Sequence, residues 1–397
     1  MVALPQSQHT TAQAIVRWYE NKKQEHRAHM GASIIGHPCA RFIWLTWRWA
    51  STPKFAGRIL RLFDTGKREE PRLLEELRSI GVQVWDKDPE TDEQWRVSAC
   101  NGHFGGSLDA VARGLPEAPK TPAVLEFKTH NAKSFADLLA KKLQASKPQH
   151  FDQMQIYMGL MQLERGLYLA VNKDTDELYS EWVYFDKEHF EQTIDYAQGL
   201  IDMLAPPERI SNDPAHWQCK GCMHHHVCHG DAAAEANCRT CAHASPIAQG
   251  AWQCTLPEAN WRDKTLSESH QASGCGDHLF IPALISFGTA VDGGKNWVAY
   301  QHKVSGKHFV NGTEKIAEYG ESFTSKELAQ CPASLMDQAS DLKAAFPGTQ
   351  VASGGIAWNT PEDLDTGAKA VTKRERVTRS KIEQSLKNLE ALHAKTL

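Results

Sequence analysis

Several things this sequence has little of narrow its class. Positive charge is not in excess: 44 Lys and Arg face 48 Asp and Glu, for a net charge of -4. That excludes a general attraction to polyanions, so any nucleic-acid reading must rest on local sites. Long hydrophobic runs are missing, because Arg, Lys or Trp interrupts every apolar stretch. No segment reads as a membrane span. The opening "MVALPQSQHTTAQAIVRWYE" lacks the apolar core of a secretory signal. The expectation is a cytoplasmic protein without a membrane partner. Internal repeats are absent, which excludes a solenoid. So is G-x4-G-K-[ST], the phosphate loop that a helicase partner subunit would carry.

Cysteine is not scarce. The chain of 397 residues has ten, and six of them fall between Cys219 and Cys254, with Cys275 shortly after. In a cytosolic chain such crowding points to metal rather than disulfides. Cys39, Cys100 and Cys331 stand apart, and the last two read as ordinary thiols.

The order of elements indicates an α/β fold, a mixed central sheet flanked by helices. "DTGKREEPRLLEELRSIG" has helical spacing and a Gly stop. "VQVWDKD", "QWRVSACNGHFGGSLDAVARG" and "TPAVLEFKTH" alternate like strands. "SFADLLAKKLQ" and "PQHFDQMQIYMGLMQL" are helical, "GLYLAVNKDTDELYSEWVYF" is a strand pair, and a helix ending at Pro206 and Pro207 follows. Three segments are expected: residues 1–232, a cysteine-rich module over 233–285, and a C-terminal extension over 286–397. The extension is expected to be partly flexible, with a basic tail around "KRERVTRSK" and a closing helix "KIEQSLKNLEALHAK".

The run Ala123–His130 poses a problem of charge. In a strand, Val124, Glu126 and Lys128 share one face and Leu125 and Phe127 the other. Burying unpaired charge is expensive. Asp109, on the strand expected before it, faces the same way as Ser107 and Val111, and a hairpin-like connection would bring it beside Glu126. Two carboxylates with a lysine suit a hard divalent cation, Mg²⁺ or Mn²⁺. Such an ion polarises a phosphoryl oxygen and acidifies a bound water, and Lys128 would position that water or stabilise phosphate charge.

Asp109 followed by Glu126-Phe127-Lys128 resembles the motif of the PD-(D/E)XK nuclease superfamily. The resemblance implies a restriction-endonuclease-like core and extends over residues 30–232. It adds Glu70 as a further acidic metal ligand on a helix before the first strand. Gln153 and Tyr157 match the Q-x3-Y helix of RecB-like members and are thereby implied to contact DNA. One departure is visible: where such members carry a metal-binding His after the helix glycine, this chain has Lys67. His103 and His130 are possible replacements.

"QCKGCMHHHVCHG" supplies Cys219, Cys222 and Cys228, one ligand short of a closed site. The fourth is either a local imidazole among His224, His225, His226 and His229, giving zinc, or the distant Cys39. A lone cysteine before the core and C-x2-C-x5-C after it resembles the iron–sulfur nucleases, AddB-type and CRISPR-associated. That resemblance implies a structural [4Fe-4S] cluster on Cys39, Cys219, Cys222 and Cys228. The second set, Cys238, Cys241, Cys254 and Cys275, fits a structural, zinc-ribbon-like Zn²⁺ site, with His243, His270 and His278 as alternates.

Together these imply a metal-dependent DNA exonuclease that leaves 5′-phosphate and 3′-hydroxyl ends. DNA is the expected partner, alongside a recombination or replication protein, in a phage or prophage setting. The rival readings are a weak or inactive DNA-end-binding protein of the same fold, suggested by Lys67, and a redox regulator using the cluster. Trp44, Trp47 and Trp49 fit a core better than a base-stacking surface.

Overall fold

A computed structural model describes residues 10–22, 24–230, 232–256 and 265–330. The expected basic tail and closing helix, and Cys331, lie outside the described residues. The chain forms two compact units: one of residues 10–39 and Thr52–Asp202, the other of Ala40–Ser51 and residues 203–330. This differs from the expected cuts near 232 and 285. The helix Ala40–Trp47 leaves its sequence neighbours, and residues 286–330 carry four strands and a short helix.

In the first unit the helices are α1 (Thr10–Glu20), α2 (Gly57–Ser79), α3 (Ala132–Ser146), α4 (Pro148–Met161) and α5 (Lys187–Asp202). The strands are β1 (Met30–Gly31), β2 (Gln83–Trp85), β3 (Arg96–Ala99), β4 (Phe104–Ser107), β5 (Ala110–Arg113), β6 (Ala123–His130), β7 (Arg165–Asn172) and β8 (Leu178–Tyr184). The main sheet runs β2-β5-β6-β7-β8. β6 and β7 are parallel and the other pairs antiparallel. Parallel neighbours need a crossover, and α3 and α4 supply it. β1, β4 and β3 make a separate small sheet.

The two faces of β6 divide as its alternation requires. Leu125 and Phe127 join Leu167, Leu169 and Val171 in a core closed by Leu73, Leu74 and Leu77 of α2. The opposite face carries Val124, Glu126, Lys128 and His130. Pro71 lies within α2. It has no amide to give the carbonyl of Lys67, so the helix loses one rung beside Glu70.

The second unit has two sheets. β9 (Ala244–Pro246), β10 (Trp252–Cys254) and β11 (Thr265–Leu266) lie in the order β11-β10-β9. β12 (Gly288–Gly293), β13 (Trp297–His302), β14 (His308–Gly312) and β15 (Ser322–Phe323) follow in sequence order. Trp44, Leu45 and Ala50 pack there with Phe280, Leu284, Tyr300 and Phe309. Trp47 and Trp49 are buried as well, so these tryptophans are core. Among the described residues no helix is long and apolar enough to cross a membrane.

Candidate active site

Antiparallel pairing of β5 with β6 sets Ala110 opposite Leu125 and Val111 opposite Val124. Continuing that register by one step sets Asp109 opposite Glu126. The expected single strand through Asp109 is in fact two: β4 belongs to the small sheet, β5 to the main one, and Asp109 sits at the break. The break frees its side chain to turn, and its Oδ2 accepts the Phe127 N–H at 2.6 Å. That bond seats a carboxylate at the strand end.

Glu126 is 1% exposed. Its Oε1 is paired with the Lys128 ammonium. Its Oε2 is buried and has no hydrogen-bond partner among the described residues. An acceptor left so costs about 1–3 kcal/mol. Burial pushes the Glu126 carboxyl up to about 7, and Asp109 and Glu70 add to the rise while Lys128 opposes it. Asp109 is raised by burial, against Lys128 and the Phe127 amide. Glu70, half-buried on α2, is raised by burial and by Asp109, with Lys128 pulling the other way. Burial draws Lys128 down, but Glu126, Asp109 and Glu70 outweigh it and its pKa is raised.

Glu70, Asp109, Glu126 and Lys128 are therefore one electrostatic unit. Fully ionised it holds three negative charges against one positive, so a divalent cation would neutralise it. The donors are hard oxygens and one is unpartnered, which suits Mg²⁺ or Mn²⁺. Among the described residues, however, no three His, Cys, Asp or Glu side chains stand as a finished metal cage.

Gln153 and Tyr157 of α4 line the same site. Gln153 Nε2 donates to the Tyr157 hydroxyl at 3.0 Å, and Gln153 Oε1 is a second buried acceptor without a partner among the described residues. A Cβ at Gly106 would meet that hydroxyl at 2.6 Å, so only glycine leaves room for the phenol. Burial, then the charge of Glu126, raises the phenol pKa and keeps it protonated.

Sequence reasoning missed the network beside it. Tyr168 of β7 pairs in register with Glu126. Its hydroxyl meets His130 Nε2 at 2.8 Å and His150 Nδ1 at 2.9 Å, and His130 Nδ1 meets Ser134 Oγ at 3.0 Å. Both His130 ring nitrogens are engaged, so it does not replace the missing metal histidine. Burial, helped by nearby lysines, lowers His130 to about 4 and His150 to about 3. His150 lies three residues before Gln153, on one helix face. That spacing was readable; the place of Tyr168 depends on strand pairing and was not. Lys67 is exposed.

The cysteine sets are less complete. Cys39 belongs to the first compact unit, and Cys219, Cys222 and Cys228 to the second. Arg41 Nε donates to Cys228 Sγ at 3.3 Å, and the His224 amide to Cys222 Sγ at 3.4 Å. His224 is a poor local zinc ligand, because its ring nitrogens meet Ser51 and Thr46 at 3.0 and 2.9 Å. Burial raises Cys238 to about 12, and Cys241, Cys275 and Cys254 are near enough to add to it. The His243 amide donates to Cys241 Sγ at 3.4 Å. Each alternate has one ring nitrogen engaged, His278 Nε2 with the Asn237 carbonyl, His243 Nε2 with Asn296 and His270 Nδ1 with Ser267, while His278 Nδ1 is buried and without a partner among the described residues.

The model of the PD-(D/E)XK nuclease superfamily matches residues 7–229. No curated protein matches the chain. Similar solved structures include SSO0001, at 13% identity and a TM-score of 0.34, over 55% of this chain and 96% of that one. LHK-Exo in complex with dAMP has 13% identity and a TM-score of 0.32, over 47% and 90%. An alkaline exonuclease from Laribacter hongkongensis, also LHK-Exo, has 14% identity and a TM-score of 0.28, over 48% and 90%.

Proposed function

Because the chain belongs to the PD-(D/E)XK nuclease superfamily, we propose that it is a metal-dependent DNA exonuclease hydrolysing phosphodiester bonds. The observation that carries this is the buried Glu126 oxygen without a partner, set among Asp109, Glu70 and Lys128. Glu70, Asp109 and Glu126 would hold Mg²⁺ or Mn²⁺. Such an ion, when bound, supplies positive charge at the phosphate and acidifies a water.

The residues of the chain do the rest. Lys128 opposes the rise that burial imposes on Glu126 and presents its ammonium where phosphate charge grows. Tyr157, fixed by Gln153 and the Gly106 gap, keeps a protonated hydroxyl buried beside Glu126. Tyr168 and its two histidines brace the floor beneath Glu126.

The test is cleavage of end-labelled linear single- and double-stranded DNA with Mg²⁺, Mn²⁺ or EDTA. Metal-dependent degradation is expected to fall by about 10²- to 10³-fold in Glu126→Gln and Lys128→Ala. A folded, metal-supplied chain that cuts neither DNA sinks the reading. It leaves the rival, a catalytically weak protein binding DNA ends, for which the exposed Lys67 in the place of a metal histidine speaks.

Two finer assignments travel with this proposal. Cys238, Cys241, Cys254 and Cys275 would bind Zn²⁺, which the shared neighbourhood of the four thiols supports. Cys39, Cys219, Cys222 and Cys228 would hold a [4Fe-4S] cluster. Element analysis of protein purified without air decides both: one zinc and four irons per chain is the expectation, and absence of either metal removes that assignment. The phage recombination or replication setting rests on resemblance alone, and genes of another kind beside this one would count against it.

A further inference from the structure

Helix α2 runs on past the core that it closes. Leu73, Leu74 and Leu77 are buried on it. At 100° per residue, Glu70, Lys67 and Phe63 continue the same face toward the N-terminus. Phe63 is nevertheless 48% exposed, and Phe55, 37% exposed, meets its ring edge-on at 5.2 Å between centroids. The rise from Glu70 to Phe63 is about 10 Å, or roughly three stacked base steps.

Charge gathers at the same place. From Lys54 to Arg68 the chain has five basic residues and one acid, Asp64, in a protein of net charge -4. Asp64 is held by Arg68 at 2.9 Å and by the Tyr19 hydroxyl at 3.0 Å. Lys54, Arg58, Arg61 and Lys67 are all exposed. Exposed aromatic rings among cations, running into a phosphodiester site, suit a backbone with unpaired bases. Rings supply stacking that a paired duplex, whose base faces are covered, does not accept at its side.

We propose that the overhanging face of α2, with Phe63 and Phe55 at its head, is the seat for single-stranded DNA leading to the carboxylates. The proposal rests on the nuclease reading and names the substrate class of that site. An exposed Phe63 is explained by the bases it stacks on, and Lys67 by a phosphate between ring and Glu70.

The test uses the full chain in a Glu126→Gln background, so that binding is read without cleavage. Fluorescence anisotropy with Mg²⁺ compares a labelled single strand with a blunt hairpin duplex. Phe63→Ala is expected to weaken single-strand binding by roughly 5- to 150-fold, the range for one lost stacking partner, while duplex binding changes less than twofold. Phe63→Trp is expected to keep single-strand affinity. Unchanged single-strand affinity in Phe63→Ala, or an equal loss on both DNAs, overturns the proposal. The nuclease reading survives either outcome if wild-type protein cuts DNA; a chain that neither binds nor cuts DNA takes both readings down.

Discussion

A carboxyl as deeply buried as Glu126 is stable only if something offsets the lost hydration. Lys128 does part of this through one oxygen, and the other oxygen is left over. A pH dependence follows. On the proposed reading a metal ion would bind the carboxylate form, and the carboxyl is raised to about 7. Below that pH a proton competes, so affinity for Mn²⁺ is expected to fall about tenfold per pH unit. Lys128→Met removes the charge that opposes the rise, so the midpoint moves to higher pH. Calorimetric Mn²⁺ titrations between pH 6 and 9 check this; an unmoved midpoint would show that the ammonium and the carboxyl are uncoupled.

At the scale of elements, one hydroxyl joins three of them. Tyr168 ties β7 to β6 through His130 and to α4 through His150. Tyr168→Phe leaves two imidazole nitrogens without that partner, and is expected to lower the unfolding midpoint by roughly 5 °C at pH 7.5. The histidines add a pH slope of known sign. His130 titrates near 4 in the folded chain, below its ordinary 6.5, so its contribution is whole above 6.5 and is lost as pH falls toward 4. Glu126, raised, slopes the opposite way and weakens the fold as pH rises toward 7. Differential scanning fluorimetry at pH 7.5 and 4.5 separates them: His130→Gln should lose less stability on acidification than wild type. An equal loss would place the acid sensitivity elsewhere.

At the scale of the whole molecule, chain order and compact units disagree. Residues 40–51 pack with residues beyond 203: Trp44 donates to the Met203 carbonyl at 3.2 Å, and Arg48 to that of Arg239 at 3.1 Å. Stopping the chain at Asp202 therefore leaves Trp44, Leu45 and Trp47 without the core that buries them. Exposed apolar surface of that size drives association. We expect the 1–202 fragment to be aggregated, by light scattering, where the full chain is not. A soluble, monomeric fragment would show that the segment finds other cover.

Much of the site was readable beforehand because it is local. Strand alternation put Glu126 and Lys128 on one face, helical spacing put Gln153 and Tyr157 on another, and the order of Asp109, Glu126 and Lys128 announced the family. These depend on backbone periods, which a sequence carries openly. What tertiary structure decided is everything set by pairing and packing between distant segments. It broke the Asp109 strand, placed Tyr168 beside Glu126, tied up His130 and His224, sent helix Ala40–Trp47 to the second unit, and left Phe63 uncovered beyond the core. Which partner a side chain meets across a sheet or between units depends on register and burial, and neither is a property of residues near it in the chain.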